Sequence, residues 1–244
     1  MRRSIEATIE RRVLVNYRVD PVVLASVLPA PFRPALVGGY GVAGICLIRL
    51  GAVRPAGLPT AVGLTTENAA HRVAVEWDTA DGPATGVYIP RRDTSSRLVV
   101  ALGGRLFPGR HQRARFRVEE GDGTYRIEVT SRDGAVAVAV AARRSTEVMP
   151  GSVFADLDAA SAFFRCAPLS YAATPDVGVF DGVALAAEGW GLEPLVLDEV
   201  RSSFFEDTDR FPAGSIVADS AFVMANLVTR WQAQPELRAS SVQS

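Results

Sequence analysis

Apolar and polar positions alternate with a period of two over much of this 244-residue chain, and the alternation predicts a strand-rich fold. Val13, Val15, Tyr17 and Val19 share one face of a first strand, with Leu14, Asn16 and Arg18 on the other. Asp20-Pro21 then supplies a cap and a first-turn proline for a short helix over 22–28, which Pro29 stops. Residues 38–50 read as a long strand broken by Gly38, Gly39, Gly41 and Gly44, a pattern suited to a strongly bent strand at a barrel corner. Residues 64–118 give two strands, a short helix, a Gly/Pro loop holding Arg110 and His111, and a further strand. Tyr125, Ile127 and Val129 alternate with Arg126, Glu128 and Thr130, and Asp133-Gly134 turns this strand back onto 135–142. There valines alternate with alanines, as in a strand covered on both faces.

Asp156 caps a helix over 156–166, with Leu157, Ala160, Phe163 and Phe164 at helical spacing. Residues 183–187 and 195–200 are late strands, and 219–231 reads as a terminal helix or strand-helix. A polar tail over 232–244 follows. No repeat or linker divides the chain, so the expectation is one domain over 1–231 plus that tail.

Composition narrows the chemistry. Hydrophobic residues make up 48% and charged residues 22%, and the formal net charge is −1, which offers nucleic acid or an anionic membrane no electrostatic footing. All 26 Lys+Arg residues are arginine, so no lysine side chain can form a Schiff base or serve as a base of lowered pKa. Cys46 and Cys166 lie in no CxxC or Cys/His metal spacing and read as two buried, reduced thiols of a cytoplasmic protein. The opening Met1-Arg2-Arg3-Ser4 has no apolar stretch behind it, and no apolar run approaches the roughly 20 residues of a membrane span. A soluble protein is expected. There is no GxGxxG, Walker A loop, GxSxG elbow, HExxH or paired-cysteine zinc site, and neither a metal nor another cofactor is expected.

The candidate site comes from strand phase. On the strand 66–78, Glu67, Ala69, His71, Val73, Val75 and Trp77 share one face, apolar at one end and ionisable at the other. That arrangement suits a strand running from a cavity rim into a core. The alternative is a solvated strand end, although at a spacing of about 13 Å Glu67 and His71 could not touch. Arg49 is a lone charge in the apolar run 45–50, and it must pair with a carboxylate such as Glu67 or bind an anionic ligand. The turn before Arg110 and His111 presents backbone N–H groups and a guanidinium that could receive a carboxylate or an enolate.

These segments, in their order, carry a resemblance. Residues 11–20 with the helix and 27–32 after them are similar to the opening of acetoacetate decarboxylase. Leu64-Thr65-Thr66-Glu67-Asn68, Gly86-Val87-Tyr88-Ile89, the helix at 96–104 and Leu106-Phe107-Pro108-Gly109-Arg110 resemble successive parts of that family, the last its Tyr-Pro-Lys-Lys loop. Residues 216–221 are similar to the family's C-terminal segment. Phe163-Phe164-Arg165 and Leu169-Ser170-Tyr171 resemble more closely the uncharacterised acetoacetate-decarboxylase-like proteins. The resemblance implies a mainly β (α+β) fold: a bent antiparallel sheet closed into a cone-like barrel around an apolar cavity, with a few short helices, in a homo-oligomer. It matches Glu67 to a functional glutamate and places Arg11 or Arg12 near a functional arginine. It sets Gly109 and Arg110 where the family has its lysine pair, so the family's Schiff-base route has no amine here.

Two functions remain open. One is an enzyme acting without Schiff-base chemistry on a small or medium apolar carbonyl compound, by cyclisation, dehydration or isomerisation of a ketide-like metabolite. Its catalytic residues would be Glu67, His71 and Arg110, and its ligand-binding residues Arg12, Arg49, Asn68, Trp77, Tyr88 and His111. The other is a binding protein that uses the same cavity without chemistry. An enzyme should bury Glu67 beside a ligand-sized void; a binder should neutralise it with a fixed arginine.

Overall fold

Strands that meet a core on both faces can grow long, and several here do. The computed structural model describes residues 4–102 and 109–239. Its strands begin with β1 (Ser4–Val19), β2 (Arg33–Pro34), β3 (Leu36–Val37), β4 (Tyr40–Pro55), β5 (Leu64–Thr79), β6 (Gly82–Thr94) and β7 (His111–Gly121). They continue with β8 (Thr124–Ser131), β9 (Ala137–Arg144), β10 (Leu169–Ala173), β11 (Val179–Glu188), β12 (Glu193–Ser202), β13 (Ile216–Met224) and β14 (Leu227–Arg238). The described helices are short: α1 (Pro21–Val27), α2 (Arg97–Leu102) and α3 (Leu157–Arg165). Two start at the expected caps. Asp20 accepts from the N–H groups of Val22 and Val23, and Asp156 accepts from that of Ala159.

Two strands branch and thereby set the architecture. β1 pairs β4 along one edge, while its other edge pairs β14 through residues 4–9 and β13 through residues 12–19. β6 pairs β5 on one edge; the other meets β10 at Val87–Ile89 and β7 at Arg92–Thr94, both in parallel. Two closed circuits therefore share the wall β1–β4–β5–β6. The smaller returns through β10, β11 and β14, and the larger through β7, β8, β9, β12 and β13. A cone-like barrel is thus present, with an internal partition. No described helix is long and apolar enough to cross a membrane.

The partition explains the long apolar runs. Val13, Val15, Ile45, Leu47, Val73 and Val75 face the larger circuit and pack in its core. Their alternates Leu14, Cys46, Ile48 and Ala74 face the smaller circuit, where α3 packs through Phe163 and Phe164. A bulge disturbs the wall between His71 and Val73, opposite Ile89 and Pro90 on β6, where proline has no N–H to give the ladder.

Two expectations at the C-terminus are corrected. Residues 219–231 form no helix: 219–224 lie in β13 and 227–231 in β14, with a two-residue turn between them. Residues 232–238 are no tail, because β14 pairs with β11 through Gln232, Ala233, Gln234, Leu237 and Arg238. Their polar alternation is that of a strand with one face in solvent.

Candidate functional site

The smaller circuit encloses a cavity of about 380 Å³, and all seven of its strands contribute to the lining. Most of the wall is apolar, through residues such as Ile48, Ala70, Leu185 and Trp231, with Phe163, Phe164 and Trp190 along one side. The polar lining comprises Arg12, Cys46, Thr66, Asn68, Arg72, Arg92, Asp93, His111, Arg165 and Ser170. An apolar pocket with a few convergent polar groups is the usual form of a small-molecule site.

Arg72 is the least expected member. It is only 5% exposed, its guanidinium lies 5.0 Å from the centre of the Phe164 ring, and Nε has no hydrogen-bond partner. The neighbouring strands let it enter. In the ladder Arg72 is opposite Gly44, and Gly44 is opposite Asn16 on β1, so the guanidinium crosses a glycine to donate to Asn16 Oδ1. A Cβ on Gly44 would stand 2.3 Å from the Val15 carbonyl oxygen and 3.3 Å from the Arg72 guanidinium. Arg12 is nearly as poorly matched: its Nε donates to Cys46 Sγ at 3.2 Å and its Nη1 to Met224 Sδ at 4.0 Å, and sulfur is a weak acceptor. Neither arginine has a carboxylate partner among the described residues. Burial pulls the Arg72 guanidinium down to about 10, Arg12 pulling the same way against Cys46. It remains a cation at neutral pH.

The other titratable groups of the lining are less available. Asp93 is fully buried, and Arg91 grips both of its oxygens, Nε to Oδ2 at 3.0 Å and Nη2 to Oδ1 at 2.8 Å. Burial raises its carboxyl pKa against the pull of Arg91. Burial, with Arg92 next, pulls His111 down to about 3, so its imidazole is neutral, and Nδ1 lies 3.3 Å from the Gly109 carbonyl oxygen. Burial likewise brings Arg92 down to about 10, with Asp181 opposing.

Of the residues expected at the site, Arg12, Asn68 and His111 line the cavity. The expected strand phase is corrected. Thr66, Asn68, Ala70, Arg72 and Ala74 of β5 line the cavity, while Val73, Val75 and Trp77 pack in the core of the larger circuit and Ala69 borders both. Because both faces of β5 are buried, alternation alone does not tell which one meets the void. Glu67 is not among the lining residues. Its oxygens accept from Arg11 Nη2 at 2.5 Å and Arg49 Nε at 2.6 Å, and Glu120 bonds the same two arginines. Burial alone would raise the Glu120 carboxyl, but Arg11 and Arg49 outweigh it and hold the group below its ordinary range. Arg49, directly opposite Glu67 in the ladder, is thereby committed to an ion pair rather than to a ligand.

His71 is fully buried away from the cavity, 4.5 Å from the Phe204 ring centre, with Nε2 3.5 Å from Ser202 Oγ and Nδ1 unpartnered. Trp77 packs against Phe32 and Tyr171. Tyr88 borders a separate cavity of about 500 Å³ beside Arg91, Phe204 and Arg210. Arg110 is exposed and lines neither cavity. Residues 106–108 of the loop lie outside the described residues; Gly109, which follows, has φ +75° and donates its N–H to Asp181 Oδ2 at 2.8 Å. A Cβ there would lie 2.5 Å from that of Ala172, so the position matched to a lysine leaves a side chain no room. The expectation of two buried thiols is also corrected, since Cys46 is buried and Cys166 is exposed.

His71 carries a pH prediction. Burial, with Arg91 and Arg210 next, lowers it from 6.5 to about 3. Above pH 6.5 the ring is neutral in both folded and unfolded chains and costs nothing. As pH falls below 6.5 the unfolded chain takes up a proton that the folded chain refuses, so stability drops by about 1.4 kcal/mol per pH unit until the folded value is approached. Denaturant melts between pH 6 and pH 4 should show a shallower pH dependence for His71→Phe than for the parent protein, and equal slopes would contradict the buried neutral ring.

Residues 6–165 match the family DUF2071, described as an uncharacterized conserved protein. No curated protein compared with the chain matches it. Solved structures do. Acetoacetate decarboxylase from Legionella pneumophila is similar at TM-score 0.60 and 12% identity, over 98% of this chain and 88% of that one. An acetoacetate decarboxylase-like enzyme from Sphingomonas wittichii RW1 gives TM-score 0.57 and 12% identity, over 97% and 92%. The enduracididine biosynthesis enzyme MppR complexed with pyruvate gives 0.55 and 13%, over 98% and 91%. The likeness to these structures is one of fold, and the family match covers well more than half of the sequence: this chain belongs to DUF2071 and has the fold of acetoacetate decarboxylase-like proteins.

Proposed function

We propose that the cavity of the smaller circuit binds a small, otherwise apolar carboxylate that also carries a carbonyl group, and that the protein activates it electrostatically, without a Schiff base. One observation carries the reading: Arg72, a guanidinium buried against a largely apolar cavity, with an unpartnered Nε and no carboxylate partner among the described residues. A buried cation in that state is costly, and an anionic ligand supplies the missing charge and acceptors. Arg12, satisfied only by sulfur, is a second donor, placed to hydrogen-bond a carbonyl oxygen or an enolate formed from it. The size of the void suits a small metabolite, and pyruvate, a 2-oxo carboxylate, occupies one relative of this fold. The absence of lysine from the chain supports a route without an imine.

Binding without turnover is the second reading, favoured by the fixed pairing of Glu67 with Arg11 and Arg49 and of Asp93 with Arg91. Both carboxylates are thereby withheld from proton transfer. The carboxylate-binding core common to the two readings is tested by thermal melts with matched pairs of apolar oxo acids and their amides. Melting temperature should rise with acid concentration and stay put with the amide, as mass action on the folded state requires. Equal shifts from acid and amide would remove the guanidinium from the recognition.

A further inference from the structure

We infer that Cys46 is a nucleophile of this cavity, whose Sγ adds reversibly to the ketone carbon of an oxo carboxylate anchored on Arg72. The inference deepens the carboxylate-binding reading and rests on it.

A buried cysteine is usually an inert small hydrophobe, and reactive ones sit in electropositive, reachable surroundings. Cys46 belongs to the second kind. It lines the cavity, and the Arg12 guanidinium donates to its Sγ at 3.2 Å. Its opposite residue in the ladder is Ala70, so Arg72, two positions along β5, is its diagonal neighbour on the same face, about 7–8 Å away. Arg72 adds an independent sign of a ligand, being 5% exposed with Nε unpartnered in the same void. The thiol thus stands between one guanidinium that touches it and another that lacks an anion. In the family resemblance the covalent amine belongs to the loop; here the position matched to it is Gly109, and the nucleophilic atom inside the cavity is sulfur.

The addition balances without a further reactant. The S–C bond forms as the π bond of the ketone opens, and the thiol proton passes to the former carbonyl oxygen. Nothing leaves, and nothing is oxidised or reduced. Arg12 is placed to hydrogen-bond that oxygen as charge gathers on it.

Alkylation of the folded protein tests this, with exposed Cys166 as the comparison within the same chain. Iodoacetamide is neutral and iodoacetate anionic; each cysteine's rate with each reagent is read by mass spectrometry. Cys46 should react in the folded state, and its iodoacetate-to-iodoacetamide rate ratio should exceed that of Cys166 by about tenfold, since a cationic cavity concentrates the anion. Pyruvate should slow alkylation of Cys46 but not of Cys166. Arg72→Gln should erase the preference, and if that variant does not fold, Arg12→Gln serves the same comparison. Pyruvate isotopically labelled at its ketone carbon should show a tetrahedral-carbon resonance with the parent protein that Cys46→Ser lacks. Cys46 inert to both reagents while oxo acids still raise the melting temperature would overturn the nucleophile and leave carboxylate binding standing. Equal ratios at the two cysteines with no protection by pyruvate would overturn the carboxylate reading and this inference with it.

Discussion

Replacing Glu67 with alanine should lower folding stability by about 3 kcal/mol, the cost of removing one partner from a largely buried ion pair. Glu67 accepts from Arg11 and Arg49 together, and Arg11 is only 4% exposed with an Nε that already lacks a partner. Without Glu67 both arginines would depend on Glu120, which is more exposed and already bonded to each. For a chain of this size the loss corresponds to a melting temperature lower by roughly 10 °C. Affinity for a carboxylate in the cavity should not change, because Glu67 is absent from the lining. The melt and the binding isotherm together separate a structural glutamate from a catalytic one. Intact stability with lost binding or turnover would return Glu67 to the chemistry.

The opposite signature is expected at Arg72. Arg72→Gln should weaken binding of an apolar oxo carboxylate by about thirtyfold or more, the equivalent of about 2 kcal/mol for a desolvated charge pair. Unliganded stability should move by no more than about 1 kcal/mol, because loss of an uncompensated buried cation offsets loss of its contacts. Glutamine keeps an amide donor for Asn16 Oδ1, the acceptor that Arg72 now serves. Arg110→Gln is the control, since Arg110 is exposed and outside the cavity. Calorimetric titration of both variants checks the pair, and equal affinity in Arg72→Gln and the parent protein would place the anion elsewhere.

Much of the strand framework is legible in the sequence because its signals are local. Asp20-Pro21 and Asp156 cap helices, and Asp133-Gly134, with Gly134 at positive φ, lies in the turn that brings β8 back onto β9. Arg49 can be read as a charge that must find a carboxylate, and the ladder sets it opposite Glu67. What the sequence does not reveal is the partition. A strand between two compartments has no solvent face, so the period of two divides the residues of β5 correctly and leaves open which set meets the void. Glu67 and His71 carry the ionisable groups of one set, while the opposite set, with Asn68 and Arg72, lines the cavity. The sequence signal that could have found Arg72 was a lone arginine at the apolar end of β5, four residues after Asn68 on the same face, opposite the glycine-interrupted β4. At the C-terminus, polar alternation in β14 resembled a tail because its apolar half packs against strands distant in sequence.

A crystal structure of the protein with pyruvate would test the central claim most directly, because it locates the carboxylate. The carboxylate should lie inside the smaller circuit with its oxygens about 3 Å from Arg72 and the ketone facing Arg12 and Cys46. A carboxylate bound instead at the Arg11–Arg49–Glu67 network, or at the loop beside Arg110, with the cavity free of it, would contradict the claim.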